Sequence, residues 1–328
     1  YIYIYIYIYM KYLVLYSYFE KNESTLNLYF FLNNGLFECD HITYIFIIKG
    51  KKLSVKIPKY KNVIVKKTKN SGYDFGGWSD GLKLIKINDY DKFIFLNDTV
   101  RGPFLPKYLN KINWVEYFTI LLNKKVKLTG STIFIKNMID PAHYGIKNNH
   151  IQSMSFATDK IGLELLIKNN IFNKKICEDT IKPKVFTNSK WKFVQKFEIR
   201  MSEIILENGF EIKSLQDSNK NFIDSNCYMK NISNPFEIIF IKSAWNDTKI
   251  LSTYTNSNNS NYNKNRKKIE FIEKELQIIK NNKKLTELAT KKLINLAKKY
   301  FFITICIISF IIIILFLLKY NLLKVSQK

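Results

Sequence analysis

The sequence predicts an α/β domain with a mainly parallel sheet flanked by helices. Three observations carry that expectation. Apolar runs of strand length alternate with segments of helical spacing along the first two hundred or so residues, the pattern of strands joined by crossover helices. A glycine-rich stretch, Asn-Ser-Gly-Tyr-Asp-Phe-Gly-Gly-Trp at residues 70–78, interrupts the alternation and carries Asp74. The apolar run Phe93 to Leu96 then ends abruptly in Asn97, Asp98 and Thr99. Polar groups at the carboxyl end of a buried strand point into the crevice where open α/β sheets bind ligands.

The elements follow in order. Met10 to Tyr16 reads as a buried strand. Ser24 is a helix cap, with the helix running to about Asn33 and stopping at Gly35. Ile42 to Ile48 and Asn62 to Val65 are the next strands. After the glycine turn a helix is expected near Trp78 to Ile87, then the strand Phe93 to Leu96. Val126 to Ile135 and Ile151 to Phe156 read as later strands, and Ile161 to Lys168 as a helix. Glu198 to Asn208 is a helix stopped by Gly209.

Beyond residue 245 the composition changes. Residues 246–265 are rich in Asn, Ser, Thr and Tyr without apolar period, as in a linker. Residues 266–299 are rich in Lys, Glu and Leu, with Ile272, Leu276, Ile279, Leu285 and Leu288 at helical spacing, and read as a basic helical stalk. Phe301 to Leu318 is uncharged and apolar, long enough as a helix to cross a hydrocarbon core of about 30 Å. Lys298, Lys299 and Lys319 flank it, so a transmembrane helix over 300–320 with a short tail at 321–328 is expected. The excess of basic residues before the span predicts a single-pass membrane protein with its amino-terminal bulk on the cytosolic side. At the other end, residues 1–9 are a strict Tyr-Ile alternation of the kind an AT-rich dinucleotide repeat encodes, and the natural chain is expected to begin at Met10.

The 328 residues have room for one large domain plus these appendages. A formal charge of +25 taken alone points to nucleic acid or an anionic membrane. The lysines, however, are scattered along every segment, as on a solvated surface, and no RNA-binding aromatic signature or zinc finger is present. A basic nucleic-acid-binding protein is therefore the weakest of the functional readings, and no nucleic-acid partner is expected. Cys39, Cys177, Cys227 and Cys306 have neither disulfide-framework nor zinc-site spacing.

Met10 to Gly50, Asn70 to Gly81 (NSGYDFGGWSDG), Asp91 to Pro106 (DKFIFLNDTVRGPFLP), His150 to Phe156 (HIQSMSF) and Glu198 to Phe210 (EIRMSEIILENGF) together resemble the rhamnan synthesis protein F type of glycosyltransferase. The resemblance spans 10–245 and implies a GT-A-like, nucleotide-sugar-binding fold. It also implies sugar transfer from a nucleotide diphosphate donor to a glycan or lipid-linked acceptor. By position, Asn70, Gly72 and Asp74 resemble the donor-binding turn. Asn97, Asp98 and Thr99 stand where related enzymes carry an Asp-x-Asp motif for Mg²⁺ or Mn²⁺. Only Asp98 of the three is ionisable, so it is the candidate metal ligand, and Arg101 and Lys242 are cationic alternatives for the diphosphate. Glu198 corresponds to the carboxylate that takes the acceptor proton in inverting relatives, where it opens a helix closed by a Gly-aromatic pair, here Gly209 and Phe210. A helix amino terminus would hold it ionised. His150 and Gln152 are read either as acceptor contacts or as structural donors. The blander readings are a turn-shaping Asp74, a capping Asp98 and a Glu198 that is only a first-turn charge. If those prevail, the same fold is an inactive, membrane-tethered glycan-binding protein.

Overall fold

The computed structural model describes residues 10–105, 113–134, 149–181, 189–216 and 235–243. The chain divides into two units, 1–265 and 266–328, and all the described residues belong to the first. The expected linker, stalk, apolar run and amino-terminal repeat lie outside the described residues. Among those described, no helix is long and apolar enough to cross a membrane.

In chain order the elements are β1 (Tyr12–Tyr18), α1 (Asn22–Asn34), β2 (Ile42–Lys49), β3 (Val63–Thr68), α2 (Tyr73–Leu82), β4 (Lys92–Asn97) and β5 (Val100–Arg101). Then come α3 (Trp114–Phe118), β6 (Val126–Gly130), β7 (Ile133–Phe134), β8 (His150–Ile151), β9 (Ser155–Asp159), α4 (Lys160–Lys168) and α5 (Lys174–Ile181). The last are α6 (Ser189–Phe193), a π-helical turn Val194–Ile199, α7 (Arg200–Glu207), β10 (Glu211–Ser214), α8 (Pro235–Ile238) and β11 (Ile241–Lys242).

The main sheet has the order β10-β6-β9-β4-β1-β2-β3. β1 pairs in parallel with both β2 and β4, β2 with β3, and β10 with β6. β9 alone runs antiparallel, between β4 and β6. The sheet is thus mostly parallel, as expected. From β1 the chain steps outward to β2 and β3, then returns to add β4 on the other flank of β1. The order of winding reverses between β1 and β4, and a crevice opens outside their carboxyl ends at such a reversal.

Alternation along the strands sends each set of side chains to its own layer. Tyr16 and Phe46 meet Phe31 of α1, which itself meets Trp114 of α3. On the opposite face Leu13, Leu15, Ile45, Ile47, Phe93 and Phe95 join residues of α2, α4 and α7 in one core. Phe95 stacks on Phe156 at 4.6 Å and on Phe172 at 4.9 Å between ring centres, with Trp78 edge-on to Phe95 and Phe156. Phe95 and Phe156 are direct partners in the β4–β9 ladder, so this cluster also fixes the register of the one reversed strand. Each such ring contributes about 1.5–3 kcal/mol when buried.

α1 starts at Asn22, so Ser24 lies in its first turn rather than at its cap, and three further expected elements differ. The glycine stretch is not a turn before a helix at 78–87; it is the helix, Tyr73–Leu82. Gly72, at φ +68, ends the preceding loop in a conformation that favours glycine. The later glycines are there for proximity. A Cβ at Gly81 would lie 2.5 Å from Leu15 Cδ2 and 3.1 Å from Ile47 Cδ1, so α2 rests almost directly on β1 and β2. Second, Val126 to Ile135 is not one strand: it leaves the main sheet after Gly130, and β7 pairs with β8 separately. Third, Ile151 to Phe156 is broken by a turn at Ser153 and Met154, so β8 and β9 belong to different sheets. Ser153 bonds to Glu198 at that break.

Gly81→Val should push α2 off the sheet and lower stability by about 1–3 kcal/mol. The check is a urea midpoint that falls at unchanged slope; an unmoved midpoint would contradict the close contact.

Candidate functional site

Three strand ends and one helix start meet at the reversal between β1 and β4. Ser17 and Asn97 are lateral partners in the parallel ladder, and Lys49 is the last residue of β2. Over them lies the first turn of α2, with Asp74. Ser17 Oγ donates to Asp74 Oδ1 at 3.4 Å and Asn97 Nδ2 donates to Asp74 Oδ2 at 3.0 Å. The Lys49 ammonium stands 3.6 Å from Asp74 Oδ1 with its side chain only 4% exposed, whereas Asp74 is 30% exposed. Gly77 makes this possible, since a Cβ there would meet Ser17 Oγ at 2.6 Å and Lys49 Cδ at 3.2 Å.

The turn after β4 is closed by its own side chains. Asn97 Oδ1 accepts from the Thr99 N–H at 3.0 Å and from the Thr99 hydroxyl at 2.6 Å. That geometry turns Asp98 toward the end of β1, where its Oδ2 accepts the Phe19 N–H at 2.6 Å. Burial first, and then the neighbouring Asp74 charge, push the Asp98 carboxyl up to about 7 against the pull of Phe19 N–H and Lys49. From behind, Asn27 of α1 donates to the Asp98 carbonyl at 2.9 Å and to Ser243 Oγ at 3.0 Å, and accepts from Arg101 Nε at 3.0 Å.

Lys242 enters from β11. The antiparallel pairing of β11 with β5 sets it opposite Val100, and the Ser243 N–H donates to the Thr99 carbonyl at 3.0 Å. Burial pulls the Lys242 ammonium below its ordinary value; Glu198 and Asp74 pull it up and Lys190 down. Lys242 is therefore within electrostatic reach of both carboxylates.

Glu198 does not open a helix. It lies within the π-helical turn of a helical stretch that begins at Ser189, and α7 follows it. No breaker precedes it: Trp191, Phe193 and Phe197 are apolar and helix-compatible. The stop at Gly209, φ +76, is as expected. Burial pushes the Glu198 carboxyl up, but the nearby His150 ring and the hydrogen bonds from Ser153 outweigh it and hold it below its ordinary value. The Ser153 N–H and hydroxyl both donate to Oε2, the former at 3.1 Å, and His150 Nε2 is 3.7 Å from Oε1. The pull toward the ionised form comes from Ser153 and His150 in place of the expected helix terminus.

The remaining expected residues are dispersed. Asn70 is exposed on the loop before α2, and Gly72 shapes that loop. Arg101, expected as a diphosphate contact, is buried against α1, bonded to Asn27 and paired with Glu23 at 2.8 Å. His150 and Gln152 are buried rather than on an open face. His150 stacks on Phe134 at 4.9 Å and Gln152 Oε1 accepts from Thr132 Oγ1 at 2.6 Å. Sequence reasoning missed Ser17, Lys49, the Phe19 N–H and Ser153. Lys49 had a signal: it is the first charge after the apolar run of β2.

The donors do not suit a resident Mg²⁺ or Mn²⁺. Asn97 Oδ1 is held by Thr99, both Asp74 oxygens face donors, and Asp98 Oδ2 holds a backbone N–H. No group of three or more His, Cys, Asp or Glu side chains among the described residues is arranged to hold a metal ion. A hard cation takes about six oxygens, some of them from water and substrate phosphate, and of these protein oxygens only Asp98 Oδ1 is uncommitted.

The rhamnan synthesis protein F family model matches residues 50–294, most of the chain. This chain is a member of the rhamnan synthesis protein F family. No curated protein matches it. The family match begins just after β2, so β1, α1 and β2, with Ser17 and Lys49, lie before it, while Asp74, Asp98, Glu198 and Lys242 all lie inside it.

Asp98 binds its proton more tightly folded than unfolded, so between about pH 4 and 7 the folded chain holds more protons and stability falls as pH rises. Asp98→Asn should flatten that part of the curve of urea midpoint against pH. Parallel curves for the two proteins would contradict the environment described for Asp98.

Proposed function

We propose that the chain is a glycosyltransferase of polysaccharide synthesis, built on a GT-A-like sheet. In this reading it moves a sugar from a nucleotide diphosphate donor to a glycan or lipid-linked acceptor. The observation that supports this best is the convergence of Asp74, Asp98, Lys49 and Lys242 at the winding reversal, with Glu198 within electrostatic reach of Lys242. Family membership supports the substrate class.

The roles follow from position. Asp74, more exposed than Lys49, presents a carboxylate at the mouth, where it would orient sugar or ribose hydroxyls. Asp98 has one oxygen fixed by Phe19 and would use the other as a hydrogen-bond acceptor, or donor when protonated. The ammonium groups offset charge as the diphosphate leaves. Glu198 takes the acceptor hydroxyl's proton. Its Oε2 is held by Ser153, which leaves Oε1 for that task, and His150 steadies it from the other side. The apolar run at 301–318 would keep the domain beside a membrane-borne acceptor.

Transfer from a panel of nucleotide sugars, followed by release of the nucleoside diphosphate, tests this. Asp98→Ala should abolish turnover with the fold intact. Glu198→Gln should lower the chemical step by about 10²–10⁴-fold and leave donor binding unchanged. Near-normal turnover in Asp98→Ala would remove it from the site. Lost donor binding in Glu198→Gln would move that residue to the donor pocket.

A further inference from the structure

We propose that this pocket neutralises the donor diphosphate with the ammonium groups of Lys49 and Lys242 and works without a divalent cation. The proposal rests on the transferase reading above and deepens it.

The first argument is the occupancy of the oxygens. Of the four carboxylate oxygens of Asp74 and Asp98, three already face N–H, O–H or ammonium donors. The amide oxygen of Asn97 is doubly engaged inside its own turn. A metal held by more than the one uncommitted Asp98 oxygen would have to displace the contacts that hold strand ends and helix together.

The second is charge. The Lys49 ammonium stands 3.6 Å from Asp74 Oδ1, and β11 brings Lys242 in opposite Val100, two residues past Asp98. A dication entering the site meets Lys49 beside Asp74, whereas a diphosphate meets that ammonium as a counter-charge.

The third is construction. A lysine buried at the end of a strand gives up hydration and is not placed casually. The Lys49 stem lies against Gly77, where a Cβ would be 3.2 Å from Cδ, so the glycine and the lysine fit one another. The ammonium is carried on a rigid strand, a more exact support than a loop.

In the transfer itself, the bond between the anomeric carbon and the diphosphate oxygen breaks, and its electron pair stays on that oxygen. The acceptor oxygen forms the new bond to the anomeric carbon, and its proton passes to Glu198. In this step Lys49 and Lys242 act by charge alone.

The test is calorimetric binding of uridine, guanosine, cytidine and thymidine diphosphates to the full chain in detergent, in EDTA and with added Mn²⁺ or Mg²⁺. One nucleoside diphosphate should bind with the same affinity in EDTA as with metal. Lys49→Met should weaken it about tenfold or more, and Lys49→Arg should restore most of the loss. Binding that appears only with metal would overturn the proposal and leave the transferase reading standing. Binding by none of the four under any condition would overturn both. Were Lys49→Met to fail to fold, the EDTA comparison on the unaltered chain would still decide.

Discussion

The carboxylate of Asp74 ties the sheet to its first covering helix. Ser17 of β1, Lys49 of β2 and Asn97 of β4 all reach it, so one side chain gathers the carboxyl ends of three neighbouring parallel strands. α2 can deliver that carboxylate only because glycines let it lie against β1 and β2. Placement of the helix, register at the strand ends and the polarity of the crevice therefore depend on one another. Loss of Asp74 would leave a buried ammonium without its counter-charge, a more serious defect than the loss of one hydrogen bond.

That hub also decides the chemistry open to the site. A crevice at a winding reversal is a general place for ligands and names none of them. The selection comes from charge. A partly protonated Asp98, a half-exposed Asp74 and two lysines, one of them deeply buried, favour an anionic group over a dication. Against burial, Glu198 has its own partners, the Ser153 N–H and hydroxyl and the nearby His150 ring, which pull its carboxyl below its ordinary value without help from a helix terminus. An acid that titrates near neutrality and a second one held ionised give the two halves of the cleft different work.

Much of the fold was legible in the sequence. The buried strands at Ile42 to Ile48 and Phe93 to Leu96, and the expectation of a mostly parallel sheet, follow from apolar runs whose length and spacing leave few alternatives. Asp98 was legible because polar residues break the pattern at the end of β4, and Asp74 because it sits in the glycine-rich stretch. Gly76 and Gly77 misled, because a glycine that permits close packing inside a helix looks the same in sequence as one that turns the chain. The split of Ile151 to Phe156 was hidden, since the turn at Ser153 is stabilised by Glu198, forty-five residues away. Lys49 was overlooked for a related reason. In a chain with so many solvated lysines, only burial separates the one that matters, and burial is a tertiary property.

The most direct measurement is a crystal structure of the chain with a bound nucleoside diphosphate. The account predicts phosphate oxygens within hydrogen-bonding distance of Lys49 or Lys242, at the carboxyl ends of β1 and β4. A diphosphate seated elsewhere, for instance in the groove of about 800 Å³ lined by Leu53, Lys56, Lys59 and Tyr60, would contradict it.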